Sequence, residues 1–238
     1  MNLKTLKLII AAAAVLPAFA GAGVAMAADR NHPTVVELFQ SQGCSSCPPA
    51  NANLMRLSDR PDLLTLSFGV TYWDQLGWKD TFASPQYTAR QWDYAHAFHR
   101  DQVFTPQVVV NGRSDGVGIR LEEIEDLVRR NDRGDSGPAL TVSQTKVQVG
   151  ALGGANHAGQ VLLVRYDPSI EQVPIHAGEN GGRTLPHRNV VKQLVRLGAW
   201  SGASMTYDLP PAPTPGLATA VLVQAGSGGP IIAAVRGG

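Results

Sequence analysis

The only two cysteines of the chain stand three residues apart, Cys44-Ser45-Ser46-Cys47, directly after the apolar run Val35-Val36-Glu37-Leu38-Phe39. That run predicts a buried strand over residues 35–39, and the dithiol spacing fits the start of a helix that follows it. At a helix start the unpaired backbone N–H groups and the positive end of the macrodipole favour a thiolate, here at Cys44. Cys47, on the same helical face, can attack a mixed disulfide formed at Cys44. With no third cysteine to pair with either, the pair is a closed two-electron unit or a two-thiolate metal clip.

The amino terminus reads as a leader rather than as part of a fold. Lys4 and Lys7 precede an apolar stretch over residues 8–19 that is short for a membrane span, and Ala25-Met26-Ala27 offers a small-residue cleavage site. A signal peptide over residues 1–27, cleaved after Ala27, is therefore expected, with a periplasmic or secreted product in a compartment where a dithiol can cycle or rest oxidised. Loss of Lys4 and Lys7 brings the 20 basic residues close to parity with the 19 acidic ones. With no basic stripe, nucleic acid is not an expected partner, and with no second long apolar segment, neither is a membrane after cleavage.

The first half alternates between the two periods of regular structure. Strands are expected over 35–39, 63–70 and 107–110. Helices are expected after the dithiol to about residue 60, from Ser84-Pro85 to about His99, and over 121–130. Pro48 and Pro49 fit only a first helical turn, which pushes the first helix start toward Cys47 or Pro48. Between the second strand and second helix lies an irregular stretch with Tyr72, Trp73, Trp78 and Phe82. After Gly134-Asp135-Ser136-Gly137-Pro138 the helical period stops. Strand-like runs then follow at 140–149, 160–166, 190–197, 204–208, 218–224 and 231–235, separated by Gly, Pro and Asn clusters. The expected architecture is an α/β domain over residues 30–135 followed by a β-rich, sandwich-like domain over 138–238.

The run from Val36 to Pro49, V-E-L-F-x-S-Q-G-C-S-S-C-P-P, resembles an uncharacterised family of secreted bacterial thioredoxin-like proteins. The likeness extends through Gly178-Glu179-Asn180-Gly181-Gly182-Arg183 and so covers most of the mature chain. The resemblance implies a thioredoxin-like first domain but no settled reaction. It also implies that Thr105-Pro106, entering the third strand, is a cis-proline facing the dithiol, with the Thr105 backbone open to pair with a substrate segment. Thioredoxins hold an acidic residue beneath the dithiol, six residues before the first cysteine. Glu37 is seven before Cys44, and strand alternation turns a one-residue offset to the other face unless a bulge intervenes. Glu37 is thus an optional proton acceptor or a partly exposed or salt-bridged glutamate.

Two further groups carry chemistry. His96 and His99 share a helical face and, with Cys44 and Cys47, supply the ligand types for zinc or copper, although no spacing brings the two pairs together. The segment 177–188 gathers Glu179, Arg183, His187 and Arg188 in one loop, which either merely connects strands or lies over the dithiol. Trp73 and Trp78 are core residues or an apolar lip beside it.

The function expected is an exported thiol–disulfide oxidoreductase acting on a protein or small-thiol disulfide, recycled by a redox partner that the sequence does not identify. Cys44 would attack, Cys47 resolve, and Thr105 with Pro106 shape the groove; no cofactor is expected. The alternatives are a non-catalytic binding module with a structural disulfide, and a copper or zinc carrier using both thiolates.

Overall fold

The computed structural model describes residues 27–153 and 158–237; apart from Ala27, the expected signal peptide lies outside them. The apolar run after Pro33 forms β1 (Thr34–Gln40), buried along its whole length. Helix α1 (Cys47–Leu57) follows, with Pro48 and Pro49 in its first turn. Their missing N–H groups would have no intrahelical partner there. Strand β2 (Leu63–Gly69) runs parallel to β1. Helix α2 (Pro85–Ala97) opens on Ser84, whose side chain accepts from the Gln86 N–H, with Pro85 at the first helical position. Strands β3 (Gln107–Val110) and β4 (Ser114–Gly116) turn back antiparallel beside β1. Helix α3 (Leu121–Arg130) buries Ile124, Leu127 and Val128 on one face.

The rest of the described chain is β structure. A hairpin joins β5 (Leu140–Val142) to β6 (Lys146–Val149), and β9 (Met205–Asp208) completes a three-stranded sheet with them. Two long strands, β7 (Gly159–Pro174) and β8 (Thr184–Trp200), pair antiparallel over most of their length. Strands β10 (Ala218–Gln224) and β11 (Ile231–Arg236) close the chain. Among the described residues no helix is long and apolar enough to cross a membrane.

One mixed eight-stranded sheet runs in the order β11-β10-β7-β8-β2-β1-β3-β4. The segment 134–138 does mark the change from alternating to all-β chain, but the sheet continues across it. On one face α2 covers a single apolar core drawn from both halves, including Phe39, Leu66, Phe68, Tyr94, Leu162, Val164 and Leu222. On the other face α1 and α3 cover β1 and β3 through Leu38, Leu54, Val108 and Ile124. Beside them the small sheet lies on β7 and β10 through Val147, Val149, Leu163, Trp200 and Val221. The sandwich expected of the second half is therefore local, and its larger sheet is an extension of the first half's sheet.

Face alternation decides the position of Glu37. Val36 and Leu38 point toward α1, so Glu37 points to the α2 face with Val35 and Phe39. There, fully buried, it receives Arg90 Nε at 2.7 Å and Arg90 Nη2 at 3.1 Å, and the Tyr94 hydroxyl also donates to it. Gln224 of β10 accepts from Arg90 Nη1 at 3.0 Å. Burial alone would lower the Arg90 pKa, but the Glu37 carboxylate more than offsets this and holds it above the usual value. Burial, with the same carboxylate beside it, holds the Tyr94 hydroxyl well above its usual value. The offset of one residue turns the carboxylate away from α1 and its dithiol, as an unbulged strand dictates. Replacing Arg90 by Met leaves a buried carboxylate without its cation, and the loss should be about 3–5 kcal/mol, read by urea unfolding.

Candidate functional site

The segment between β1 and α1 is a tight turn built on Ser41. The Cys44 N–H donates to the Ser41 carbonyl at 3.1 Å and the Gly43 N–H to the Ser41 hydroxyl at 3.1 Å. The Cys47 N–H then donates to the Cys44 carbonyl at 3.2 Å. Cys47 opens α1, so Cys44 lies outside the helix, and the prolines move the dipole end toward the second cysteine rather than the first. The two residues are disulfide-bonded, with 5.4 Å between their Cα atoms, inside the normal range. Both are buried, at 0% and 1% exposure.

Against their segment lies the turn between β7 and β8, residues 175–183. Its backbone closes through the Ile175 N–H to the Arg183 carbonyl and the Gly182 N–H to the Ile175 carbonyl, both at 2.8 Å. Asn180, fully buried, donates from Nδ2 to the carbonyls of both Gln42 and Cys44 at 2.9 Å, and its Oδ1 accepts from Arg183 at 2.6 Å. Glu179 accepts from the Ser45 N–H at 3.0 Å, between the cysteines. Hydrogen bonds from the Ser45 side chain and backbone hold that carboxylate below the usual range. Of the segment 177–188, only the part up to Arg183 is loop. Residues from Thr184 onward belong to β8, which takes His187 and Arg188 out of the turn.

A second loop closes the other side. Gln42, also fully buried, accepts from Trp78 Nε1 at 2.9 Å and donates to the Thr81 hydroxyl at 2.9 Å. Its backbone N–H donates to Asp80 at 2.7 Å, and the Phe82 N–H donates to the same carboxylate at 2.7 Å. Burial pushes the Asp80 carboxyl up, against the pull of these backbone N–H groups. Gly69 permits this approach, since a Cβ there would lie 2.8 Å from the Phe82 and Ala83 backbone. Trp78 packs edge-on against His176 of the first turn.

The Thr105–Pro106 bond is cis. Thr105 reaches the dithiol segment through Trp73, whose Nε1 donates to the Thr105 hydroxyl at 2.8 Å. The Trp73 Cβ also lies 3.5 Å from where a Gly43 side chain would begin. Both tryptophans are half-buried beside the dithiol segment, and Trp73 also packs against the core under α2. His96 stacks on Trp92 of its own helix, and His99 takes a left-handed conformation just past α2. Among the described residues no group of three or more His, Cys, Asp and Glu is placed to hold a metal ion.

Sequence reasoning passed over Gln42, Asp80 and Asn180, and placed His187 in a loop. His187 is buried beside the dithiol helix, with its ring edge-on to Phe82 and neither ring nitrogen bonded to another protein group. Burial, and then the charge of Lys192, hold its pKa down at about 4.

The site is thus a buried disulfide at the head of a helix, on the edge of a mixed α/β sheet, roofed by a hairpin turn from the same sheet. The chain belongs to an uncharacterised family, the proteins of unknown function DUF1223, whose model matches residues 35–224. Among solved structures it is similar to the crystal structure of protein AGR_C_4864 from Agrobacterium tumefaciens. That likeness is at 31% identity and TM-score 0.70, over 85% of this chain and 92% of the other. It is also similar in fold to HBP35 of Porphyromonas gingivalis, at 10% identity and TM-score 0.58, over 87% of this chain and 75% of that one. No protein of curated function matches the sequence.

Two outcomes follow from this geometry. Asn180→Ala removes a donor shared by the Gln42 and Cys44 carbonyls and should cost about 1–3 kcal/mol in urea unfolding. It should also speed reduction of the disulfide by a water-soluble phosphine. His187 carries a pH dependence of definite sign. Between the ordinary value of 6.5 and about 4 the unfolded chain binds a proton that the native ring refuses. Stability should therefore fall as pH falls through that window, by up to about 3 kcal/mol, and His187→Gln should remove that increment.

Proposed function

We propose that this protein is an exported thiol–disulfide oxidoreductase of thioredoxin-like fold. Its Cys44–Cys47 pair exchanges with a disulfide of a protein or small-thiol substrate and is recycled by a separate redox partner. The observation that carries the reading is the pairing itself: a single i, i+3 disulfide that bridges the first turn of α1 and the turn before it, within normal Cα separation. The element order β1-α1-β2-α2-β3, with Thr105-Pro106 entering β3 and linked through Trp73 to the dithiol segment, supports the fold assignment. Export rests on the amino-terminal sequence. In this reading Cys44 attacks, Cys47 resolves, and Thr105 with Pro106 flanks the groove. Glu37 has no part in it, because it faces α2.

Exchange requires in-line access to a sulfur, and Cys44 has none until the turn at 175–183 lifts. The contacts to break are Asn180 to two carbonyls, Glu179 to one exposed N–H, His176 against Trp78 and the buried Ile175 side chain. The same burial favours a second reading, in which the disulfide is a permanent staple under a binding surface formed by that turn.

The equilibrium reduction potential separates the two. Thiol trapping of the purified protein in graded redox buffers should give a value between about −270 and −120 mV if the pair cycles. A value below about −300 mV makes the bridge structural. In the cycling case Cys47→Ser should accumulate mixed disulfides through Cys44, seen as reducible adducts by mass spectrometry, whereas Cys44→Ser should not.

A further inference from the structure

Ser46 stands at the cap position of α1, yet its side chain caps nothing. A capping serine ordinarily accepts from the main-chain N–H at the second or third helical position. Here Cys47 holds the first position, and Pro48 and Pro49 hold the second and third. Neither proline has an N–H to give. The Ser46 backbone, at φ −87° and ψ −7°, also lies outside the extended region typical of a cap residue. Its hydroxyl lies instead 3.5 Å from Cys44 Sγ. The two sulfurs are bonded to each other and carry no proton, so the serine O–H is the donor.

Other donors around Cys44 are spent or missing. The Ser45 N–H donates to Glu179 at 3.0 Å, and the Cys47 N–H to the Cys44 carbonyl at 3.2 Å. Carboxylates sit on the backbone at both ends of the segment, Glu179 on the Ser45 N–H and Asp80 on the Gln42 N–H. The Arg183 guanidinium is tied to Asn180 Oδ1, and α1 carries no charge before Arg56. His176 packs edge-on to Trp78, and His187 edge-on to Phe82. These surroundings do little to favour an anion at Cys44, and the one hydroxyl on its sulfur does favour it.

A disulfide sulfur is a weak acceptor, whereas hydrogen bonds to ions are the stronger kind. The contact therefore gains strength when the bridge is reduced and Cys44 ionises. We propose that Ser46 is the hydroxyl donor that holds Cys44 as a thiolate, in place of the helix-terminal N–H groups that Pro48 and Pro49 lack. This proposal rests on the oxidoreductase reading above. The step it serves is the attack of Cys44 on a substrate disulfide, after the Cys44 proton has gone to solvent. The Cys44–substrate bond forms, the substrate S–S bond breaks, and one substrate thiolate leaves with the electron pair. Ser46 keeps its proton throughout and gives only the hydrogen bond.

The test is the ionisation of Cys44 in the full chain carrying Cys47→Ala, followed by ultraviolet thiolate absorbance against pH. Adding Ser46→Ala should raise the Cys44 midpoint by about one pKa unit. Ser46→Thr, which keeps the hydroxyl, should leave the midpoint where Ser46 sets it. An unmoved midpoint in Ser46→Ala overturns the proposal and leaves the oxidoreductase reading standing. So does a loss of urea stability without a shift, which would make Ser46 a helix cap. If Cys47→Ala fails to fold, the intact pair decides the matter by its exchange equilibrium with glutathione, measured above the raised midpoint. There Ser46→Ala should move the equilibrium about tenfold toward the Cys44–Cys47 disulfide, which is about 30 mV, and an equal equilibrium overturns the proposal. A wild-type pair that no redox buffer reduces overturns the reading and the proposal together.

Discussion

The two halves of the sheet meet at a junction one residue pair wide, and the site exists because of how that junction is held. Strand β8 touches β2 through Ser67 opposite Val190. Next to it Asn189 takes a left-handed conformation at φ 54° and donates from Nδ2 to the Thr65 carbonyl at 3.0 Å and its hydroxyl at 2.7 Å. Asparagine tolerates that conformation at low cost, because its side chain can bond locally where a β-branched residue could not. The β7–β8 register shifts opposite the same point, between Asp167 and Ile170. The bulge redirects the hairpin, as bulges do. Beyond it β7 and β8 leave the sheet's body, and their connecting turn lies over the dithiol.

One docking event therefore supplies two things from opposite sides of the disulfide. The turn at 175–183 brings Asn180 and Glu179 onto the backbone at 42–45. The strand that leaves it brings Leu185, Pro186 and His187 against α1, where Asn51 Nδ2 donates to the Pro186 carbonyl at 2.5 Å. The roof is held by hydrogen bonds to carbonyls and one exposed N–H, by the Trp78–His176 contact and by the buried Ile175 side chain. The floor is packed among buried groups and does not open so readily.

Local physics made much of this legible from sequence. The ends of β3, β10 and α3 fall where apolar period, turn residues and charge predict them, and Pro48-Pro49 pushed the start of α1 toward Cys47 or Pro48, where Cys47 opens it. The length of β7 and β8 was hidden, because their outer portions carry Asp167, Glu171 and Arg188 among polar neighbours. A strand supported on one side by its hairpin partner alone has no apolar alternation to show. The same reason puts His187 in an expected loop: its burial comes from packing on Phe82 and α1, contacts distant in sequence. Gln42 and Asn180 gave no signal, because an amide that satisfies buried carbonyls is indistinguishable in sequence from a solvated one.

Glu37 shows how a motif position and a motif role separate. Its place near the dithiol in sequence suggested proton chemistry, yet strand alternation turned it into the α2 core, where Arg90, Tyr94 and Gln224 tie β1 to α2 and β10. A carboxylate so bound is a poor proton shuttle, since protonating it would strand the buried guanidinium. The face toward α1 holds Val36 and Leu38 instead, and any proton leaving Cys47 must travel another way. Charge is thus kept where it fixes the sheet.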